Sequence, residues 1–274
     1  MNRRILTATV LTLAAGLGCR AMVNYESSAG PRYAAPLPAP STIEPYASVN
    51  VGTLRVVTYN VKYAHRVDGA IYALRHYGPL RGADIILLQE MDAPATHQIA
   101  EALAMAYVYY PAGIDGHTHR DFGNAILSRW PITADEKLLL PHLGRIRHEQ
   151  RIATVANVQI GTHTVRVYCL HLGTPSEIGW AKRRDQAHMV VEDATKYPLA
   201  IVGGDMNSHG IGKEFRNAGF VWPTEHDSFT TAIFNWDHIF LKGFGSPFKG
   251  AGVARDTLGV SDHFPVWALA TLNP

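Results

Sequence analysis

Cysteine is nearly absent from this chain of 274 residues: there are two, Cys19 and Cys169. Cys19 closes an N-terminal apolar run, so the rest of the chain keeps one thiol. That excludes an internal disulfide there and leaves inert buried packing as the expected role of Cys169. The apolar run from Ile5 to Gly18 is too short to span a bilayer comfortably as a permanent helix. The chain also lacks an excess of charge of either sign. It carries 25 Lys plus Arg against 23 Asp plus Glu; setting aside Arg3, Arg4, Arg20, Arg32, Glu26 and Glu44 leaves 21 against 21 for residues 50–274. A formally neutral domain argues against a broad polyanion-binding surface, although a local basic cleft is compatible with it. Neither an internal repeat nor a regular βαβ rhythm is visible.

What is present begins with an export pattern. Arg3 and Arg4 precede the apolar run, and Cys19 follows at once, the order of a cleaved signal. Small residues before a cysteine resemble the lipobox of bacterial lipoproteins, in which the cysteine is acylated. Gly18 fits that pattern; Gly16 and Leu17 depart from it. The expectation is an exported protein, either secreted or attached to a membrane through lipidated Cys19. Residues 20–49 are rich in Pro and Ala, including Pro31, Pro36, Pro38, Pro40 and Pro45, and are expected to form a disordered tether. Residues 50–274 then suit one catalytic domain with one sizeable core, expected as a monomer.

Within that domain, Thr53 to Tyr59, Asp84 to Leu88 and Leu199 to Val202 read as buried strands. Asn124 to Leu127, Ile152 to Gln159, Thr164 to Leu170, Trp236 to Leu241 and Phe264 to Ala270 read likewise. Helical spacing covers Val67 to His76, Ala93 to Ala104 and Glu177 to Lys196. The last carries a stripe of Trp180, Arg184, Ala187, Val191 and Ala194, with Lys182, Arg183 and Arg184 on a solvated face. Pro111 to Phe122 and Pro141 to Arg151 read as long polar loops. Strands mixed with helices in both halves predict an α+β fold of two packed mixed sheets flanked by helices.

Several of these strands end in residues that can do chemistry: Asn60, Glu90, His171, and Asp205 with Asn207 after a pair of glycines. Strand ends converge on one rim of a sheet, where a rigid scaffold holds a site. Gly203 and Gly204 permit close approach of a backbone or ligand, and Asp205 and Asn207 offer an acceptor and an amide two residues apart. Asp262 and His263 place a hard oxygen ligand beside a titratable base. Each has an ordinary alternative, such as a turn for Asn60 or an Asx turn for Asp205.

In chain order, Thr58-Tyr59-Asn60-Val61, Gln89-Glu90, Gly123 to Arg129, His171-Leu172, Gly204-Asp205-Met206-Asn207, Trp236 to Phe240 and Ser261-Asp262-His263 resemble the endonuclease/exonuclease/phosphatase superfamily. The resemblance spans about Thr53 to Trp267. It implies a four-layer α/β/β/α sandwich. Carried over residue by residue, it implies a divalent-metal site, Mg²⁺ or Mn²⁺, at Glu90 with Asn60 and Asp262. It implies His263 as general base with Asp237 fixing its tautomer, Asp205 orienting the water or leaving oxygen, and Asn207 and His171 on the phosphoryl oxygens. The family's further carboxylate, which orients the counterpart of His171, has no clear match among Asp115, Asp121 and others.

The reaction implied is in-line attack of water on phosphorus. The expected substrate is a phosphodiester, nucleic acid included, with phosphate monoesters or phospholipid head groups as alternatives. Two basic clusters, Arg145, Arg147, His148 and Arg151, and His117, His119 and Arg120, are candidates to grip a phosphate. The reading from another class is a catalytically silent metal-binding surface module. Retention of His171, Asp205, Asp237 and His263 speaks against it, since fold alone does not demand those polar groups.

Overall fold

A computed structural model describes residues 21–38, 52–245 and 250–272. The segment expected to be an export signal, with Cys19, lies outside the described residues. Two mixed sheets form the centre of the molecule. The first contains β1 (Val23–Asn24), β2 (Tyr33–Ala35), β3 (Leu54–Asn60), β4 (Ile85–Met91), β5 (Ala106–Ile114), β6 (Asp121–Ser128), β12 (Ala251–Val253) and β13 (Val266–Ala270). Its order is β1-β5-β6-β4-β3-β13-β12, with β2 also on β5. The second contains β7 (Ile132–Leu139), β8 (Ile152–Ile160), β9 (His163–His171), β10 (Ala200–Asp205) and β11 (Asp237–Lys242), in the order β11-β10-β9-β8-β7.

The hydrophobic core explains the layering. Leu54, Val56, Ile85, Leu87 and Ile126 of the first sheet meet Ile152, Val167, Cys169, Ile201 and Ile239 of the second in one buried cluster. The opposite face of the first sheet, with Val57, Ile86, Leu88 and Leu127, packs on Ala70, Ala73 and Leu74 of α1 (Val67–His76) and Ile99 of α2 (Ala93–Leu103). The opposite face of the second, with Val155, Tyr168, Leu170 and Val202, packs on Ala187 and Val190 of α3 (Trp180–Ala194) and Phe215 of α4 (Gly212–Asn217). Strands buried on both faces read as continuous apolar runs, and the result is the expected α/β/β/α sandwich.

Two pairings place the chemistry. β3 and β4 run parallel, as do β9 and β10, so their C-terminal ends share one rim; Asp205 sits directly opposite His171. β10 requires its glycines. A Cβ on Gly204, at φ +144°, would meet Leu170 O at 1.9 Å, and one on Gly203 would meet Leu87 Cδ1 of the facing sheet at 2.7 Å. Only glycine lets β10 lie that close to both neighbours.

Three expectations are corrected. Residues 21–38 are not a free tether: β1 and β2 pair with β5, and Lys137 Nζ donates to Tyr25 O at 3.2 Å and Gly30 O at 2.8 Å. Backbone pairing replaces the apolar burial that this composition cannot supply. Residue 20 and residues 39–49 of the expected tether lie outside the described residues. The polar loop expected from Pro111 is instead the end of β5, with an irregularity between Pro111 and Gly113 that accommodates the proline. On α3 the inward stripe is Arg183, Gln186, Ala187, Val190 and Ala194, so Arg183 is buried rather than solvated. Its Nη1 donates to Asn207 O at 2.6 Å, a polar reward that simple apolar periodicity misses.

Candidate active site

The rim brings together residues from both sheets. Asn60 ends β3, Glu90 lies near the end of β4, and His171 and Asp205 end β9 and β10. Asp237 opens β11, and His263 lies in the loop before β13. Glu90 reaches the seam because the β4–β6 register shifts between Leu88 and Met91, and its own φ is +59°. A non-glycine residue held there stores strain, which surrounding contacts must maintain. Asn60 Nδ2 donates to Glu90 Oε1 at 3.0 Å and to Asp205 Oδ2 at 3.3 Å, tying the two sheets. Tyr63 N donates to Glu90 Oε2 at 3.1 Å.

His263 Nδ1 donates to Asp237 Oδ2 at 2.8 Å, which leaves Nε2 facing Asp205 Oδ2 at 3.8 Å. Burial alone disfavours the imidazolium, but Asp237 and Asp205 outweigh it and raise His263 to about 10. Asp205 is pushed up to about 7, first by burial and then by the charge of Asp237, against the pull of His263. Asn207 N donates to Asp205 Oδ1 at 2.8 Å, closing a tight turn with Asn207 at φ +49°. Burial likewise raises the Glu90 carboxyl.

His171 lies with Nε2 3.4 Å from Asp205 Oδ2 and 4.0 Å from Glu90 Oε1. Burial, then Arg151 and His263, hold it well below its usual value, so it is neutral here. Its Nδ1 is buried without a hydrogen-bond partner. Asp115 and Asp121 do not supply one: Asp115 is paired with Arg147, and Asp121 accepts from Tyr25 at 3.1 Å. Asn207 Nδ2 donates to Leu172 O at 2.9 Å, so one amide proton is already used and one is free for a ligand oxygen.

The donor set fits a divalent cation, with a changed division of labour. Glu90 and Asp205 are buried carboxylates with raised affinity for protons, the state that a hard cation relieves. Asn60 supports Glu90 through its amide nitrogen, while its Oδ1 accepts from Lys62 N at 3.0 Å and keeps one lone pair toward the site. Asp262 is also set apart. Its side chain is 58% exposed and pairs with Lys62 Nζ at 3.0 Å. Asp205, Asp237 and His263 each offer a ligand atom within 4.8 Å of the others. The hydrogen bond between Asp237 and His263 already occupies that pair, which favours the Glu90 side.

The basic clusters are largely committed internally. Arg147 pairs with Asp115 and donates to Tyr63 Oη at 3.3 Å, Arg120 pairs with Asp92, and Arg145 Nε donates to Ser176 O at 3.0 Å. Arg151 pairs with buried Glu149 at 3.1 Å and lies over the Phe122 ring. Four exposed apolar side chains near the rim were not anticipated as functional: Trp180, Phe229, Ile233 and Phe234. The crowding of Phe229, Phe234 and Trp236 into eight residues was the available signal.

A two-sheet sandwich with paired acids and imidazoles across its seam defines a phosphoesterase fold. The chain belongs to the endonuclease/exonuclease/phosphatase family, whose profile matches residues 57–263. Solved structures agree. An endonuclease/exonuclease/phosphatase from Beutenbergia cavernae is 18% identical with a TM-score of 0.63, covering 81% of this chain and 72% of its own. The human Nocturnin catalytic domain, with bound sulfate, gives 16% and 0.64, covering 81% and 95%. Sphingomyelinase C from Streptomyces griseocarneus gives 21% and 0.56, covering 80% and 99%. No curated protein sequence matches the chain. Among the described residues no helix is long and apolar enough to cross a membrane.

Proposed function

We propose that this protein is an exported, divalent-metal-dependent phosphodiester hydrolase. The observation that carries the reading is the His263–Asp237 hydrogen bond, which aims His263 Nε2 at the Asp205 side of a rim that also holds Glu90. Asp237 keeps the proton on Nδ1, so Nε2 is the atom able to take a proton from water. Asp205 accepts from that water and orients it. The water oxygen then bonds to phosphorus as the opposite ester bond breaks; the water proton passes to His263, and the departing alkoxide is protonated from solvent. The free amide proton of Asn207 and the Nε2 face of His171 would hold the phosphoryl oxygens. When bound at Glu90, Mg²⁺ or Mn²⁺ supplies Lewis-acid polarisation of a phosphoryl oxygen and offsets the carboxylate charge that otherwise keeps His263 protonated.

Export, and attachment through Cys19, rest on Arg3, Arg4 and the apolar run that follows. Met22, three positions after Cys19 in the sequence, donates from its N to Arg147 O at 3.0 Å. Mass spectrometry of the N-terminal peptide tests the acylation directly. For the activity, the purified protein is assayed on bis-p-nitrophenyl phosphate, a phosphate monoester, DNA, RNA and sphingomyelin, with Mg²⁺, Mn²⁺ or chelator. Metal-dependent turnover of diesters that is lost in Asp205→Ala supports the reading. Metal binding with no turnover on any ester supports the silent module.

A further inference from the structure

A trough of about 870 Å³ opens beside Asn207. Its walls include Trp180, Phe229, Ile233, Phe234 and Trp236. Ile233 is 63% and Phe229 54% exposed, so neither contributes much to the core, and water contact with such side chains is unfavourable. Clustered apolar exposure next to a site marks a binding surface.

The loop that carries these residues is built, and it is tied to the catalytic pair. Thr230 N donates to Phe234 O at 2.8 Å and Phe234 N to Thr231 Oγ1 at 3.0 Å, forming a tight tip around Ile233. Thr230 Oγ1 accepts from Asp237 N at 3.2 Å, and Thr230 O from Phe264 N at 2.7 Å. The rings of Phe234 and Trp236 stack at 4.4 Å. The trough is therefore fixed relative to Asp237 and His263.

Charge selects among occupants. The charged residues lining the trough are Arg183, Glu225 and Asp227. Arg183 is buried and bound to Asn207 O, and Glu225 pairs with Arg216. Asp227 Oδ2 is buried without a hydrogen-bond partner. Burial holds His209 below its usual value, so it adds no cation at neutral pH. Behind the wall, Arg255 is exposed but engaged with Ser228 Oγ at 2.6 Å and Phe229 O at 2.8 Å; a polynucleotide would bring further phosphates on either side of the scissile one, and these need more free cations than this trough offers.

We propose that the trough beside Asn207 is the subsite for an apolar, non-anionic group esterified to the scissile phosphate, so that the substrate is a lipid or small aryl phosphodiester and not a polynucleotide. This rests on the phosphodiesterase reading and narrows it. The apolar group lies against Trp180, Phe229, Ile233 and Phe234 while the phosphate meets Asn207 and His171.

The full-length protein is assayed with Mn²⁺ on detergent-dispersed sphingomyelin, a soluble methyl naphthyl phosphate, glycerophosphoglycerol and a short single-stranded oligonucleotide. Sphingomyelin and the naphthyl ester separate lipid from aryl sources of the same chemistry. The expected result is a higher kcat/KM on one or both apolar diesters than on glycerophosphoglycerol. In Phe229→Ser/Ile233→Ser that preference falls about thirtyfold, mainly through KM, as expected for removing two apolar contacts. Quenching of tryptophan fluorescence by naphthyl methylphosphonate gives a readout independent of turnover, and the double variant should weaken it similarly. An unchanged preference and unchanged quenching overturn the subsite but leave the phosphodiesterase reading intact. So does better cleavage of the oligonucleotide than of both apolar esters, with its KM raised in the double variant, which would assign the aromatic wall to base stacking. Absence of metal-dependent turnover on every diester overturns the underlying reading and the subsite with it.

Discussion

His263 and Asp237 are joined at 2.8 Å although they belong to different sheets: Asp237 opens β11 of the second, and His263 precedes β13 of the first. Asn60 and Asp205 are joined across the same seam. The site is therefore a property of sheet-on-sheet packing, and its geometry is as rigid as the core of Leu87, Cys169 and Ile201 beneath it.

That pairing makes His263→Gln a sharper test than alanine, because glutamine can still donate to Asp237 but cannot act as a base. Turnover should fall by about 10²- to 10⁴-fold, the usual range for a lost general base, with a small change in Tm. His263→Ala should be as inactive and less stable, by about 1–3 kcal/mol, because Asp237 loses its donor while buried. Turnover in His263→Gln within a few-fold of the parent would remove His263 as the base.

Glu90→Gln keeps the side-chain volume and the contact with Asn60 but removes the carboxylate charge. Calorimetric titration should show Mg²⁺ or Mn²⁺ affinity reduced at least about tenfold. Asp262→Asn should change it much less, since Asp262 faces Lys62 and solvent. Equal losses in the two variants would return Asp262 to the metal site.

Asp205 carries a stability cost in the metal-free protein. Its native value of about 7 lies above the usual carboxylate value near 4, so its contribution to stability is fully present below about pH 4 and is lost as pH rises through 7. His263, raised to about 10, adds a second loss between its usual value and pH 10. In chelator, Asp205→Asn should match the parent near pH 4 and exceed it in Tm by several degrees at pH 8, while remaining inactive. A difference in Tm between Asp205→Asn and the parent that is no larger at pH 8 than at pH 4 would contradict this.

Cys169 is fully buried between the sheets. It accepts from Gln89 Nε2 at 3.1 Å and donates to Leu88 O at 3.4 Å. Burial pushes its thiol up to about 12, which leaves almost no thiolate at neutral pH. Native protein should therefore resist a thiol reagent at Cys169 and react only as it unfolds. Prompt labelling, followed by mass spectrometry of the Cys169 peptide, would show that the seam opens.

The sequence by itself determined the strand ends and what they carry. The apolar run of β4 had to be buried on both faces, and the Gly203-Gly204 pair had to lie where a side chain would collide. Local chemistry of this kind is written in neighbouring residues, which is why Val67–His76 emerged with the bounds it has in the structure. Only the tertiary structure decided which polar groups meet. It turned Asn60 into a support for Glu90, gave Asp262 to Lys62, and committed Arg147 and Arg120 to Asp115 and Asp92. It also laid residues 21–38 against β5, because an open sheet edge offers hydrogen bonds that composition does not reveal. Each of these depends on contacts between residues far apart in the chain, and burial then sets their charge by removing the water that would otherwise screen it.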